Sequence, residues 1–147
     1  MRTDVPDVYT DASALEAELR TVPLHEELDL RVTSVGDGEL VLTASVDGRW
    51  TNRKDSGIVH GGIVAALLDV AACWSLVSYD AVGPAIDLHV NYLRATPPGE
   101  LTVVGTVVRP GRTVSVARAR LVGPDGKVLA EATGTYATPA PAQGGAA

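Results

Sequence analysis

The sequence contains no phenylalanine, a single cysteine and few basic residues. One cysteine, Cys73, cannot form a disulfide within the chain, which is typical of proteins in the reducing cytoplasm. The 12 Lys and Arg residues are outnumbered by 18 Asp and Glu residues, giving a net charge of −6. This balance argues against nucleic acid as a general partner. The N-terminus also lacks a basic start followed by an apolar core, so we expect a cytoplasmic protein without a secretory signal.

Clusters with metal-ligand spacing are missing as well, because the three histidines, His25, His60 and His89, are far apart in the sequence. We therefore expect neither a metal nor a redox cofactor. The 147 residues, 46% of them hydrophobic, suffice for one domain with its own core. We expect a single domain over residues 1–147, with its core at about 28–138 and flexible segments at 1–10 and 139–147.

Alternating apolar and polar residues predict six strands. They lie at residues 28–35, 39–46, 85–94, 101–109, 112–122 and 128–138. Asp37-Gly38 fits a tight turn between the first two, and a short helix is predicted to begin at Asp11 or Ser13 and end near Arg20. Antiparallel strands of this kind need one covered face. A single long helix between the second and third strands can cover it, which predicts an α+β domain.

The long helix is predicted from an apolar stretch that begins near Gly61 and reaches Tyr79. Large apolar residues recur in it at steps of three and four, which is helical periodicity; they are Ile63, Leu67, Val70, Trp74 and Val77. A membrane span is the rival interpretation, but it needs about 20 apolar residues and tolerates a central carboxylate poorly. Apolar residues surround the helix, so we expect a partner subunit to cover part of it.

Two features of this helix suggest a site for chemistry. The first N–H groups, at Gly61 and Gly62, have no partner within the helix and lie at the positive end of its dipole, where a carbonyl oxygen gaining negative charge can bind. The second feature is Asp69, the only charged residue between Ile63 and Tyr79. A buried carboxylate is costly, so it is either paired structurally or functional. Small residues share its face: Gly62, Ala65, Ala66, Ala72 and Cys73.

The stretch His60-Gly61-Gly62-Ile63-Val64-Ala65-Ala66-Leu67-Leu68-Asp69 resembles the signature of hotdog-fold acyl-CoA thioesterases. The similarity is to the phenylacetate-pathway (PaaI) type within the 4-hydroxybenzoyl-CoA thioesterase superfamily, and it covers about residues 28–138. Asn91-Tyr92-Leu93-Arg94 and Gly111-Arg112-Thr113 fit the same family. The resemblance implies a hotdog fold, an antiparallel β-sheet wrapped around one long central α-helix. It also implies hydrolysis of an aryl or short- to medium-chain acyl-CoA, with coenzyme A as part of the substrate.

The resemblance implies a role for three catalytic residues. The Gly61 N–H would polarise the thioester carbonyl, and Asp69 would act as general base or as nucleophile. A third family residue, Asn or Gln, precedes the histidine by about six positions, where this sequence has Lys54. A slightly longer loop would allow Asn52 to take that role. In some relatives a Ser or Thr begins the strand after the helix, where this sequence has Ala85.

Further residues are expected to bind the substrate. His60 invites a general-base role, but a residue at a helix start more often caps the helix, and Cys73 has no evident base that would make it a nucleophile. The residues expected around the acyl group are His60, Gly62, Cys73, Ala85 and Asp87. Those expected to contact coenzyme A are Arg94, Gly111, Arg112 and Thr113, because arginine binds phosphate well.

Gly61 and Asp69 are separated by roughly 12 Å along a helix, which is too far for one thioester to contact both. Two antiparallel helices across a twofold axis would bring Gly61 of one subunit near Asp69 of the other. We therefore expect a homodimer with shared sites, and a dimer of dimers. Two alternatives remain: a non-catalytic acyl-CoA-binding protein, and an acyl-thioester hydratase or dehydratase, which usually pairs a histidine with the acid.

Overall fold

The computed structural model describes residues 11–141. Of the segments expected to be flexible, residues 1–10 and 142–147 lie outside this range, and residues 139–141 have no regular secondary structure. The helices are α1 (Ala12–Leu19), α2 (Pro23–Glu27) and α3 (Gly61–Ser75). The strands are β1 (Arg31–Gly36), β2 (Glu39–Val46), β3 (Ala85–Tyr92), β4 (Gly99–Arg109), β5 (Val114–Val122) and β6 (Val128–Ala137).

The six strands form one antiparallel sheet in the order β1-β2-β4-β5-β6-β3. Helix α3 packs across one face, mainly against β4, β5 and β6. The helix approaches the sheet most closely at Gly105 of β4, where a Cβ atom would overlap the carbonyl oxygen of Ala71. The core between helix and sheet is made of aliphatic residues, among them Leu68, Val103 and Leu121, all buried. The predicted hotdog fold is confirmed.

Most strand positions are confirmed, and the first is partly wrong. β2 has the predicted bounds, and both Asp37 and Gly38 have positive φ angles, 52° and 77°, as a tight hairpin turn requires. The predicted strand at 28–35 begins only at Arg31, because Leu28 ends the unforeseen helix α2 and Asp29 has a φ of 46°. The apolar alternation arose because Leu28 and Leu30 are both buried without being in a strand.

Helix α1 is capped as predicted and covers one edge of the sheet. Asp11 is the N-cap and accepts a hydrogen bond from the Ser13 N–H at 2.9 Å. The carboxylate of Glu16, within α1, accepts the N–H of Val32 in β1 at 2.9 Å. A free N–H on an edge strand invites pairing with another chain. Glu16 therefore helps to block the β1 edge.

Helix α3 continues as a 3₁₀ turn, Leu76–Tyr79, before the chain reverses. By length and composition alone, Gly61–Tyr79 resembles a membrane span, with a mean hydropathy of 1.7, but half of its most apolar window is buried inside the protein. The central helix of a soluble protein has the same character. In the single chain, the face of α3 that carries Gly62, Ala66 and Asp69 is partly exposed.

Candidate active site

His60 caps α3 and thereby shapes the start of the helix. Its Nδ1 accepts a hydrogen bond from the Gly62 N–H at 2.8 Å, so Nδ1 is the unprotonated nitrogen of the ring. The carbonyl oxygen of His60 accepts the N–H of Ile63 at 2.9 Å. The capping interpretation of His60 is confirmed, and the Gly62 N–H is already used. The cap does not use the N–H of Gly61, the first residue of the helix.

The Gly61 N–H donates to no residue within the described range 11–141. The carbonyl oxygen of Gly61 does have a partner, because the Tyr92 hydroxyl donates to it at 2.9 Å. The Tyr92 ring lies 3.4 Å from the place that a Cβ of residue 61 would occupy. A free N–H at a helix start is a site for negative charge.

Asn52 and Gly61 line the same cleft, which has a volume of about 370 Å³. The Asn52 backbone N–H donates to the Ile58 carbonyl oxygen at 2.8 Å, and its side-chain Oδ1 accepts from the Ser56 hydroxyl at 2.7 Å. The Asn52 Nδ2 donates to none of residues 11–141, so it is available to a ligand. Lys54 does not line this cleft. Two residues that line it, Gly61 and Asn52, therefore each have a donor that no residue of 11–141 accepts.

Asp69 lies in the middle of α3 and is partly buried. The hydroxyl of Tyr136, a fully buried residue of β6, donates to Asp69 Oδ1 at 3.0 Å. Burial and the negative charge of Asp69 raise the pKa of Tyr136 far above its ordinary range, so the phenol keeps its proton. No arginine of residues 11–141 forms an ion pair with Asp69. Its side-chain partner is a neutral phenol.

Two of the residues expected to bind substrate lie close to the Asp69 region. The Cys73 thiol, one turn further along α3, donates to the Gly83 carbonyl oxygen at 3.3 Å. Burial raises the pKa of Cys73 to about 11, so the thiol is neutral at physiological pH and is a poor nucleophile. Ala85 is paired with Tyr136 in the β3–β6 ladder. Asp87, also on β3, is paired with Thr135 and is exposed.

The residues expected to contact coenzyme A lie in two places. Arg94 lines the cleft of Gly61, and its guanidinium donates to the Val128 carbonyl oxygen at 2.7 Å. Gly111 and Arg112 line a second cleft, of about 820 Å³, together with Tyr79 at the opposite end of the helix. Thr113 does not line it, and its carbonyl oxygen accepts the Thr138 N–H. Within one chain, Arg94 therefore lies near the start of α3, whereas Gly111 and Arg112 lie beyond its end.

The sequence profile of the family described as "Acyl-CoA thioesterase N-terminal domain" matches residues 46–137. This match covers more than half of the chain, including the whole of α3. The chain belongs to this acyl-CoA thioesterase family. It is a thioester hydrolase, as the sequence predicted, and the finer assignment to the PaaI-type branch stays a prediction.

Individual relatives of this thioesterase carry related names. A Halobacterium salinarum protein named as an esterase is 38% identical over 112 residues, which are 72% of this chain and 74% of that protein. The medium/long-chain acyl-CoA thioesterase YigI of Salmonella typhimurium is 33% identical over 105 residues, 60% of this chain and 65% of YigI. A Streptococcus pneumoniae thioesterase protein, solved with coenzyme A, has a TM-score of 0.71 at 25% identity, covering 80% of this chain and 95% of that one.

In the thioesterase chain, the predicted catalytic residues fall into two groups. Asn52 and Gly61 lie together at the start of α3, and Asp69 lies eight residues further on. Sequence reasoning missed Tyr136 as the partner of Asp69. Its signal was available in Gly134, because a glycine inside a strand marks a close approach by another group. Gly134 and Tyr136 share the helix-facing side of β6, and the tyrosine ring occupies the space above the glycine.

Proposed function

We propose that this thioesterase hydrolyses acyl-CoA to the free acid and coenzyme A. The observation that carries the proposal is that Gly61 and Asn52, each with a donor that no residue of 11–141 accepts, line one cleft at the start of the helix that also carries Asp69. Donors aimed at a developing oxyanion lower the barrier to acyl transfer. Arg94 in the same cleft supplies positive charge near the path of an anionic substrate.

In the proposed mechanism, the Gly61 N–H holds the thioester carbonyl oxygen, and the dipole of α3 favours the negative charge that develops there. Asn52 Nδ2 assists that oxygen or orients the attacking water. Asp69 either removes a proton from water or attacks the carbonyl carbon itself. The sulfur of coenzyme A leaves as a thiolate, a good leaving group, so no strong general acid is needed.

We propose further that each site is shared by two subunits, because Gly61 and Asp69 of one chain are roughly 12 Å apart along α3. Antiparallel pairing of two α3 helices would bring Gly61 of one subunit to Asp69 of the other. It would also bring Arg112, at the far end of α3, towards the partner's Gly61 cleft, where it could contact coenzyme A. The small residues on the exposed face of α3 allow another helix to approach closely.

The two edges of the sheet support this dimer because they differ. The β1 edge is covered by α1 through Glu16, whereas β3 forms the other edge and pairs only with β6 within residues 11–141. β3 also exposes large side chains: Ile86 is 60% and Tyr92 is 56% exposed. An open apolar edge invites pairing with another strand. Two copies joined along β3 would merge their sheets, and a dimer of dimers would follow by a second contact.

The acyl group and the cellular setting are part of the proposal. YigI, a relative, is named for medium- and long-chain acyl-CoA, which adds longer chains to the aryl and short- to medium-chain groups expected from the sequence. The single neutral thiol and the net charge of −6 fit a cytoplasmic enzyme that binds neither nucleic acid nor membrane. Within one chain, no histidine of residues 11–141 hydrogen-bonds to Asp69. The proposed dimer would bring the start of a second α3, with its His60, near that carboxylate, so the hydratase alternative is decided by the assay below.

The test is thiol release from a panel of acyl-CoAs that spans aryl, short, medium and long acyl groups. We expect turnover of at least one class, abolished by Asp69→Ala. Tight binding without turnover would support a non-catalytic acyl-CoA-binding protein. Hydration of an enoyl-CoA without thiol release would support a hydratase. Either of these results would overturn the proposal.

A further inference from the structure

We propose that Tyr136 positions the Asp69 carboxylate for the reaction, by holding one of its two oxygens across the interface between helix and sheet. This inference rests on the proposed function, in which Asp69 is the general base or the nucleophile. Tyr136 is a positioning residue in this scheme, since its hydroxyl contacts Asp69 rather than the substrate.

The geometry leaves one carboxylate oxygen for the chemistry. The Tyr136 hydroxyl lies 3.0 Å from Asp69 Oδ1 and 3.4 Å from the carbonyl oxygen of the same residue. Asp69 Oδ2 accepts no hydrogen bond from residues 11–141. A carboxylate fixed at one oxygen keeps a defined orientation, so Oδ2 is the atom that faces a water molecule or a thioester carbon. Catalysis depends steeply on such orientation.

Strand β6, which packs against α3, leaves space for the Tyr136 hydroxyl. Gly134 and Tyr136 are two residues apart on β6 and therefore point to the same side. A Cβ on Gly134 would overlap the Tyr136 hydroxyl and the end of its ring. The ring is completely buried, which removes the rotational freedom that an exposed tyrosine would have. The donor is thus rigid, as a group that orients a catalytic residue must be.

Tyr136 can act only as a donor to Asp69, because its phenol remains protonated. Its pKa is raised by burial and by the charge of Asp69, so the phenol does not lose its proton near neutral pH. The neighbouring Cys73 thiol donates to the Gly83 carbonyl oxygen and does not compete for Asp69. The carboxylate therefore has one fixed donor on the protein side.

The first test is Tyr136→Phe, which removes the hydroxyl and keeps the ring. We expect kcat for the best acyl-CoA to fall about tenfold, equivalent to about 1.4 kcal/mol of activation free energy. KM should stay unchanged, because binding of the substrate does not use this hydroxyl. Leu15→Val is the matched control: Leu15 is fully buried in α1, a helix that packs mainly against β1, so the variant loses stability but should keep its kcat. An unchanged kcat in folded Tyr136→Phe would overturn the inference.

A double variant separates positioning from packing. In an Asp69→Asn background, measured by single turnover, Tyr136→Phe should cause no further loss, because there is no carboxylate left to orient. An equal loss in both backgrounds would mean that the hydroxyl only supports the core, and the inference would be wrong.

A spectroscopic measurement decides the matter if Tyr136→Phe does not fold. In protein carrying ¹³C at the tyrosine ζ-carbons, Asp69→Asn should shift the signal of the buried Tyr136, because its hydroxyl would then donate to a neutral amide oxygen instead of a carboxylate. No change would show that the two residues do not interact, which contradicts the inference.

The outcomes also separate this inference from the proposed function. If Asp69→Asn is inactive while Tyr136→Phe keeps wild-type kinetics, the inference fails and the proposed function stands. If Asp69→Asn keeps its turnover, the proposed role of Asp69 fails, and the inference fails with it.

Discussion

Tyr92 holds Gly61, the first residue of the central helix, by donating its hydroxyl to the Gly61 carbonyl oxygen at 2.9 Å. The tyrosine comes from β3, the edge strand, and is 56% exposed. Because the carbonyl side of Gly61 is bonded to Tyr92, the N–H on its other side has a restricted position. Residue 61 therefore has little room for a branched side chain.

We predict that Gly61→Val lowers kcat/KM by about tenfold or more, whereas Gly61→Ala keeps most of the activity. A Cβ at residue 61 would lie 3.4 Å from the Tyr92 ring, an ordinary contact, but the additional methyl groups of valine would press on the ring or enter the cleft. Steady-state kinetics on both purified variants checks this. Wild-type kinetics for a folded Gly61→Val would remove Gly61 from the site.

Asp69→Asn should lower turnover by about 10²- to 10⁴-fold, the usual contribution of a general base. The fold should remain intact, because the asparagine oxygen can still accept the hydrogen bond from the Tyr136 hydroxyl. Thermal unfolding and thiol release from the same preparation test both statements. Near wild-type turnover would show that Asp69 is neither the general base nor the nucleophile.

Arg112→Ala should raise KM for acyl-CoA by about five- to tenfold and change kcat little, since a contact to the nucleotide is made equally in ground and transition states. The control substrate is an acyl-pantetheine thioester, which lacks the nucleotide. If the variant is impaired as much on that substrate, Arg112 does not contact coenzyme A.

Gly105→Ala should lower the free energy of unfolding by about 1–3 kcal/mol, the usual cost of overpacking a core. Its Cβ would overlap the Ala71 carbonyl oxygen and push α3 away from β4. Gly48→Ala is the matched control, because a Cβ there meets no atom within 4 Å. Chemical denaturation should show a change of less than about 0.5 kcal/mol for this control. An equal free energy of unfolding for the two variants would show that α3 does not pack closely against Gly105.

The fold was largely predictable because its signals are local. The bounds of β2 follow from alternation, the turn at Asp37-Gly38 from its residue types, and α3 from apolar periodicity over several turns. The error at Leu28 has the same origin: alternation of buried residues continued through the end of α2, where tertiary packing rather than a strand keeps Leu28 buried.

The site was predictable only where it is local in sequence. The signature from His60 to Asp69 lies on one helix and its N-cap, so the sequence alone predicts how these residues are placed relative to one another. The partner of Asp69 could not, since Tyr136 is 67 residues away and reaches it only after β6 has paired beneath the helix. The choice of Asn52 over Lys54 for the cleft likewise depends on how the loop folds, through its hydrogen bonds to Ser56 and Ile58.

Subunit mixing tests the shared active site most directly. Gly61→Val and Asp69→Ala, each strongly impaired alone, are unfolded, mixed in equal amounts and refolded together. Half of randomly formed dimers carry one copy of each variant, and one of the two sites in such a dimer combines an intact Gly61 with an intact Asp69. We predict recovery of about a quarter of the wild-type activity. No recovery from well-folded mixed dimers, or full activity of wild-type protein that is strictly monomeric in solution, would contradict a site built from two subunits.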